Sequence, residues 1–199
     1  YSSFQVASIV STTGFSTADF SKWPALAQTV LWFLMFLGGC AGSTAGGLKC
    51  SRFLILVKSV RRELRRLSRP NSVSVVRLSG ETLDEETVSG TTMYFITYVC
   101  IFLCGLLLLS LNGLDFETTF SSVLTCISNV GPGFGSIVGP TGSFATLSWF
   151  SKFVLSILML IGRLEIFPML MLFSPALWRR RHLLPAGKSK HIPKVSRIQ

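Results

Sequence analysis

Apolar residues are distributed along this chain in runs of two lengths. Short, mostly apolar runs occupy Phe4 to Val10 and Phe116 to Ile127, whereas longer ones begin near Pro24, Thr91 and Leu147. Each short run leads into a glycine-centred tetrapeptide, Thr12-Thr13-Gly14-Phe15 or Asn129-Val130-Gly131-Pro132. A polar or glycine-rich strip and a long apolar segment then follow. A run too short to cross a bilayer, a glycine-centred loop and a full span together predict a re-entrant pore loop. Non-helical backbone at membrane depth is tolerated only where protein buries it or where it lines a water-filled cavity. Carbonyls exposed in such a cavity can replace the hydration shell of a small cation.

The long runs predict three spans. The first starts near Pro24, well suited to a first helical turn, and runs through Leu37. It is interrupted by the strip Gly38-Gly39-Cys40-Ala41-Gly42-Ser43-Thr44-Ala45-Gly46-Gly47 and resumes from Leu48 to about Val60. A polar stretch from Arg61 to Gly90 carries Pro70, Asn71, Gly80 and the acidic group Asp84-Glu85-Glu86. The second span, Thr91 to Leu111, is continuous and close to the roughly 20 residues a crossing needs. Asn112-Gly113 makes a turn, and Asp115 is expected to cap the short helix ending near Ser128. After the loop Asn129 to Gly142, the third span runs from Leu147 to Trp178. Its length requires a tilt, a kink at Pro168 or an extension beyond the bilayer.

Composition supports a membrane-embedded chain: 49% hydrophobic residues, 16 Phe and a mean hydropathy of +0.54. The first residue is Tyr, inside an apolar run, so the chain reads as the C-terminal fragment of a longer protein. The net charge of +10 is concentrated in two blocks, Lys58 to Arg77 and Arg179 to Arg197. It therefore reports topology rather than a nucleic-acid partner, and none is expected. Cys40, Cys50, Cys100, Cys104 and Cys126 lack metal or redox spacing and read as small packing residues. His182 and His191, in the basic tail, have no matching ligands.

No Lys or Arg occurs between Leu111 and Ser151. The positive-inside rule then makes the basic blocks cytoplasmic and turns both glycine-centred loops outward. The unit helix–short helix–loop–helix is complete once, at 91–181, and 1–60 reads as the back half of an earlier copy in the same orientation. Residues 61–90 form a cytoplasmic linker and 182–199 a basic cytoplasmic tail.

Four strings, STTGFSTADF (11–20), GGCAGSTAGGLK (38–49), SNVGPGFG (128–135) and IGRLEIFPML (161–170), occur in this order and topology. Together they resemble the Trk/Ktr/HKT superfamily of potassium transporters, closest to bacterial TrkH-type subunits, over residues 1 to about 181. The resemblance implies an all-α membrane protein of four helix–pore loop–helix repeats around one pore, as in potassium channels. This chain would hold the end of the third repeat and the whole fourth. Thr12, Thr13, Gly14, Phe15, Asn129, Val130, Gly131 and Pro132 would be two quarters of a selectivity filter. The backbone carbonyls of Thr12, Thr13, Asn129 and Val130 would face K⁺. Only the central glycine is shared with the channel signature TVGYG.

The resemblance also makes the strip an intramembrane gating loop, with Gly38, Gly39, Gly42, Ser43, Thr44, Gly46 and Gly47 as its residues. Each interior glycine costs a helix about 1 kcal/mol relative to alanine, so the strip should break the helix near mid-membrane. A small-residue packing face is the alternative. A phosphate-binding loop fails by register, since Leu48 occupies the lysine position. Arg163, basic within an apolar helix, costs roughly 2.5–3.5 kcal/mol or more to insert and demands a partner. Glu165, about 200° around the helix, is poorly placed for that. Arg163 is expected to face the pore, contact the gating loop and raise the barrier to cations; its alternative is a structural anchor.

Lys58, Arg61, Arg62, Arg65, Arg66 and Arg69 fall on a single helical face, an anionic-lipid surface by residue type. The resemblance offers docking of a cytosolic nucleotide-binding regulatory ring instead. Asp115 and Glu117 could also gather cations at the outer mouth by their charge. No paired carboxylates, Ser/His/Asp set or metal spacing point to an enzyme. The expected function is K⁺ uptake as a membrane subunit, with a non-conducting scaffold as the other reading. Expected partners are lipid, the missing N-terminal repeats, a second copy in a homodimer and the regulatory ring. No cofactor is expected beyond K⁺ as transported ion, and Na⁺ or H⁺ coupling is left open. The location expected is the cell (inner) membrane, crossed several times.

Overall fold

The computed structural model describes residues 1–40, 43, 46–68, 76–78, 81–135, 137–164, 166, 168 and 169. Its helices are α1 (Ser2–Val10), α2 (Ala25–Phe36), α3 (Cys50–Ser68), α4 (Glu85–Ser110), α5 (Phe116–Ser128) and α6 (Trp149–Arg163). Two-residue strands β1 (Leu37–Gly38) and β2 (Leu48–Lys49) pair in parallel, and β3 (Arg77–Leu78) and β4 (Glu81–Thr82) pair antiparallel. The fold is that of an all-α membrane protein, with strand pairing among the described residues confined to these short clips.

At about 1.5 Å per residue, the 26-residue α4 reaches about 39 Å, beyond a hydrocarbon core of ~30 Å. Among the described residues it is the one helix long and apolar enough to cross a bilayer unbroken. It begins at Glu85, ahead of the Thr91 expected from hydropathy. Glu85 and Glu86 lie in its first turn, where acidic side chains favour the positive end of the helix dipole. In the same way α3 continues past Val60 to Ser68, because Arg, Glu and Leu are good helix formers however polar the stretch. Among the linker's described residues, 61–68 and 85–90 are thus helical, and the β3–β4 pair lies between them. Helix α6 runs from Trp149 to Arg163, Ile166, Pro168 and Met169 beyond it are also helical, and the remainder of the expected span to Trp178 lies outside the described residues. Leu164 is the C-cap, and Pro168, itself helical, has no N–H for the carbonyl of Leu164. Residues 170–199, including the basic tail and both histidines, lie outside the described residues.

Helix α5 sits at the centre, wedged between α4 and α6 and covered by α2. Ten of its residues from Thr118 to Ser128 are buried, six of them Ser or Thr. Their hydroxyls turn back on the helix, as when Ser122 Oγ donates to Thr118 O at 2.6 Å. A polar helix can therefore be buried without stranding most of its hydroxyls, and its small side chains let neighbouring helices come close. Gly105 of α4 adds to this: a Cβ there would lie 2.9 Å from Leu158 Cδ1 and 3.1 Å from Val123 Cγ1. Trp32 of α2 stacks on Phe120 of α5 at 4.8 Å, and Phe20 meets Phe134 edge-on at 4.9 Å. Asp115 holds the N-cap position of α5, but its side chain makes no capping bond. The capping role expected of it is therefore corrected to one of charge and position only.

Candidate functional site

The two short helices end alike. After α1, Thr12 takes a left-handed φ of 55°, Thr13 N donates to Ser8 O at 2.9 Å and Thr12 N to Ile9 O at 3.1 Å. After α5, Asn129 has φ 56°, Val130 N donates to Thr125 O at 3.0 Å and Asn129 N to Cys126 O at 3.3 Å. Each is a Schellman-type helix end with its left-handed residue supplied by a non-glycine. Threonine is β-branched, and holding it at positive φ costs about 1–2 kcal/mol. Ser8 Oγ donating to Phe15 O at 2.6 Å and the 2.7 Å contact of Ser11 Oγ with Thr13 Oγ1 hold this turn. The second loop is held by Ser121 Oγ on Phe134 O at 2.9 Å and Gly133 N on Val138 O at 2.7 Å.

The central glycines follow the same rhythm, Gly14 at φ 79° and Gly131 at φ 109°. These angles are open to glycine and strained for other L-residues. The two loops also meet. A Cβ on Gly14 would sit 2.2 Å from Val130 O and 3.3 Å from Pro132 Cδ, and one on Gly131 would lie 3.9 Å from Gly14 Cα. Of the eight residues singled out from sequence, Phe15 (72% exposed), Thr13 and Gly131 are exposed and Val130 is buried. Both short helices direct their C-terminal, partially negative ends at this junction.

Likeness continues downstream. Phe20–Lys22 and Phe144–Thr146 form single 3₁₀ turns, opened by Asp19 accepting from Ser21 N and by Ser143 accepting from Ala145 N. Lys22, 3.1 Å from Asp19, and the N–H of Ser21 hold that carboxyl below the usual carboxylate range. Gln28 Nε2 then donates to Ser21 O at 2.7 Å, and Lys152 Nζ to Ala145 O at 2.7 Å, each tying the following helix to the turn before it.

The glycine strip leaves α2 at β1 and returns through β2 beside its own exit, a narrow-necked loop. Cys50 N donates to Gly39 O at 3.2 Å, and the Cys50 thiol to Gly38 O at 3.2 Å. Cys50 is thus more than the packing residue expected. A Cβ on Gly38 would lie 2.1 Å from Gly46 O, so only glycine fits the neck. Gly46 in turn lies against the end of α5, where a Cβ would come within 2.4 Å of Ser128 O and 3.0 Å of Asn129 Cβ. Gly47, at φ 74°, is next to it, and Ser43 N donates to Cys40 O at 3.0 Å. Gly42 and Thr44 lie outside the described residues.

Arg163 is the last residue of α6 and is exposed, and Glu165 lies outside the described residues. The residue before it carries the close contact. A Cβ on Gly162 would stand 2.0 Å from Ile127 O and 2.7 Å from Asn129 Nδ2. Gly162 escaped the reading of the sequence, although a glycine inside an apolar helix is itself a signal of close approach. Tyr98 of α4 escaped it too; its hydroxyl meets Ser128 Oγ at 3.2 Å. Arg52, packed at 4.0 Å over the ring of Tyr94, is a second basic residue on a largely apolar helical stretch.

The single basic face of α3 is divided by its neighbours. Arg62 is held in a two-pronged pair with Glu85, at 2.6 and 2.8 Å, and Lys58 Nζ donates to Arg77 O at 2.7 Å. Arg61, Arg65 and Arg66 remain outward, and Arg69 lies outside the described residues.

Comparison with known proteins agrees with this architecture. Residues 1–180 match the model of the TrkH family, described as "Cation transport protein". The potassium uptake protein TrkI of Halomonas elongata is 42% identical over 178 residues, covering 89% of this chain and 36% of that protein. TrkH of Salmonella typhimurium is 39% identical over 176 residues, covering 88% and 36%. The crystal structure of the potassium transporter TrkH from Vibrio parahaemolyticus superposes with a TM-score of 0.80 at 39% identity, covering 88% of this chain and 37% of that one. The chain spans about a third of the length of the curated relatives it matches. It belongs to the TrkH family of cation transport proteins.

Proposed function

We propose that this chain supplies the membrane-embedded third and fourth quarters of a potassium uptake pore. The family is one of transporters and not of enzymes. The K⁺ specificity is carried over from the named activity of the relatives, potassium uptake. In this reading K⁺ passes between the loops, partly coordinated by the carbonyls of Thr12, Thr13, Asn129 and Val130. Positive φ at 12 and 14 and at 129 and 131, on either side of Thr13 and Val130, turns successive carbonyls toward one side and so replaces water around the ion. The observation that carries this is the matched pair of helix ends meeting at Gly14 and Val130.

The strip Gly38–Gly47 is the gate in this reading, pressed on the end of α5, and Arg163 adds a positive barrier at the end of α6. The outward arginines of α3 face the cytoplasm. There they meet anionic lipid or the cytosolic ring, and Na⁺ or H⁺ coupling and a homodimer belong to the same proposal. The full-length protein tests it in cells lacking other K⁺ uptake, by growth at low K⁺ and by Rb⁺ uptake. Rescue that is lost or made unselective by Gly131→Ala is the expected result. Absence of uptake by the intact protein, with Gly131→Ala indistinguishable from it, overturns the pore in favour of a scaffold.

A further inference from the structure

Helix α4 lies outside the proposed ion path, yet two of its buried tyrosines, one turn apart, are tied to the returning limb of the gating strip, one through Ser128 and one through Arg52. Tyr98 is 2% exposed, and its hydroxyl meets Ser128 Oγ at 3.2 Å. Ser128 is the last residue of α5, and its carbonyl is the surface on which Gly46 rests; Gly47 also lies near Ser128 Oγ, since a Cβ on it would be 3.5 Å away. Tyr94, 4% exposed, presents its ring face to the Arg52 guanidinium at 4.0 Å, shortly after the strip re-enters α3. The returning limb of the strip is thus fixed twice from the same helix, at Gly46 and Gly47 through the hydroxyl pair on Ser128 and at Arg52 through the cation–π contact. Burial away from water strengthens both contacts.

We propose that Tyr94 and Tyr98 are positioning residues that hold the glycine strip against the filter end of α5 and so set how readily the gate yields. This rests on the proposal above that the strip is a gate. Neither side chain touches the ion. Their removal therefore changes the rate at which the path opens and leaves the filter carbonyls as they are. One buried hydroxyl pair contributes about 0.5–1.5 kcal/mol, or a factor of about 2 to 12 in the equilibrium it biases.

The experiment measures Rb⁺ uptake by the full-length protein, per molecule in the membrane, against external K⁺ and Na⁺. Tyr98→Phe and Ser128→Ala are each expected to raise the maximal rate about threefold to tenfold, with half-saturating K⁺ and K⁺/Na⁺ preference unmoved. The double variant should exceed neither single one, because both remove the same contact. Tyr94→Leu should raise the rate likewise, and Tyr94→Phe, which keeps the ring face, far less. An unchanged rate in Tyr98→Phe and Ser128→Ala, or effects that add in the double variant, overturns the brace. If Gly131→Ala alters uptake in the same assay while these do not, the brace fails and the pore stands. If none of them alters uptake, both fail.

Discussion

Replacing Gly162 by alanine adds one methyl group to the last turn of α6 and, by helix propensity alone, should stabilise it by at most about 1 kcal/mol. The packing opposes this. The added Cβ would stand 2.0 Å from Ile127 O, 2.9 Å from Ile127 C and 2.7 Å from Asn129 Nδ2. Two of these neighbours are backbone atoms at the end of α5, so no side-chain rotation relieves the overlap. The helices must separate by roughly 1 Å, at an overpacking cost of about 1–3 kcal/mol or more. Gly90 of α4 is the matched control, because a Cβ there meets nothing within 4 Å. Gly90→Ala should therefore gain most of the propensity term. Thermal unfolding of the detergent-solubilised full-length protein measures both: Gly162→Ala should lower the midpoint and Gly90→Ala should not. Because Asn129 starts the second loop, Rb⁺ uptake should fall in Gly162→Ala as well. A Gly162→Ala protein as stable and as active as Gly90→Ala would refute the close seating of α6 on α5.

Further outcomes follow from the same geometry. Gly14→Ala should impair K⁺ selectivity more than Gly131→Ala in an uptake competition with Na⁺. Gly14 combines positive φ with a Cβ 2.2 Å from Val130 O, whereas Gly131 has only the φ of 109° against it. Ser8→Ala removes the 2.6 Å tether on Phe15 O and should loosen the first loop, seen as a lower K⁺/Na⁺ ratio at normal membrane abundance. Asn112 Nδ2 donates to Ser148 Oγ at 2.9 Å and also to Ser151 Oγ, joining the α4–α5 turn to the start of α6. Asn112→Ala should cost about 1 kcal/mol in unfolding measurements and leave selectivity intact.

Much of the architecture was legible because bilayer length and glycine placement act locally. The short helices α1 and α5, the glycine loops after them and the interruption after α2 all follow from run lengths and from residues that tolerate positive φ. Boundaries set by charge were less so. Glu85 and Glu86 look like linker by hydropathy, but at the start of α4 they complement its dipole. The basic helix reads as one face by spacing, yet Glu85, more than twenty positions along the chain from Arg62, takes that arginine out of it. What could not be read locally was which small or hydroxylated residue faces which. The seating of Gly46 on Ser128, of Gly162 on Ile127, and of Tyr98 on Ser128 depends on three helices and a loop converging on the end of α5. Of these, Gly46 within the glycine strip and Gly162 within an apolar helical run carry a local sign of close approach, and Tyr98 carries none.

The most direct test of the ion path is anomalous diffraction from crystals of the full-length protein grown with Rb⁺. An ion peak within coordinating distance of the carbonyls of Thr12, Thr13, Asn129 and Val130 is the expected result. A clear Rb⁺ peak elsewhere in the membrane region, with none between these two loops, would contradict it.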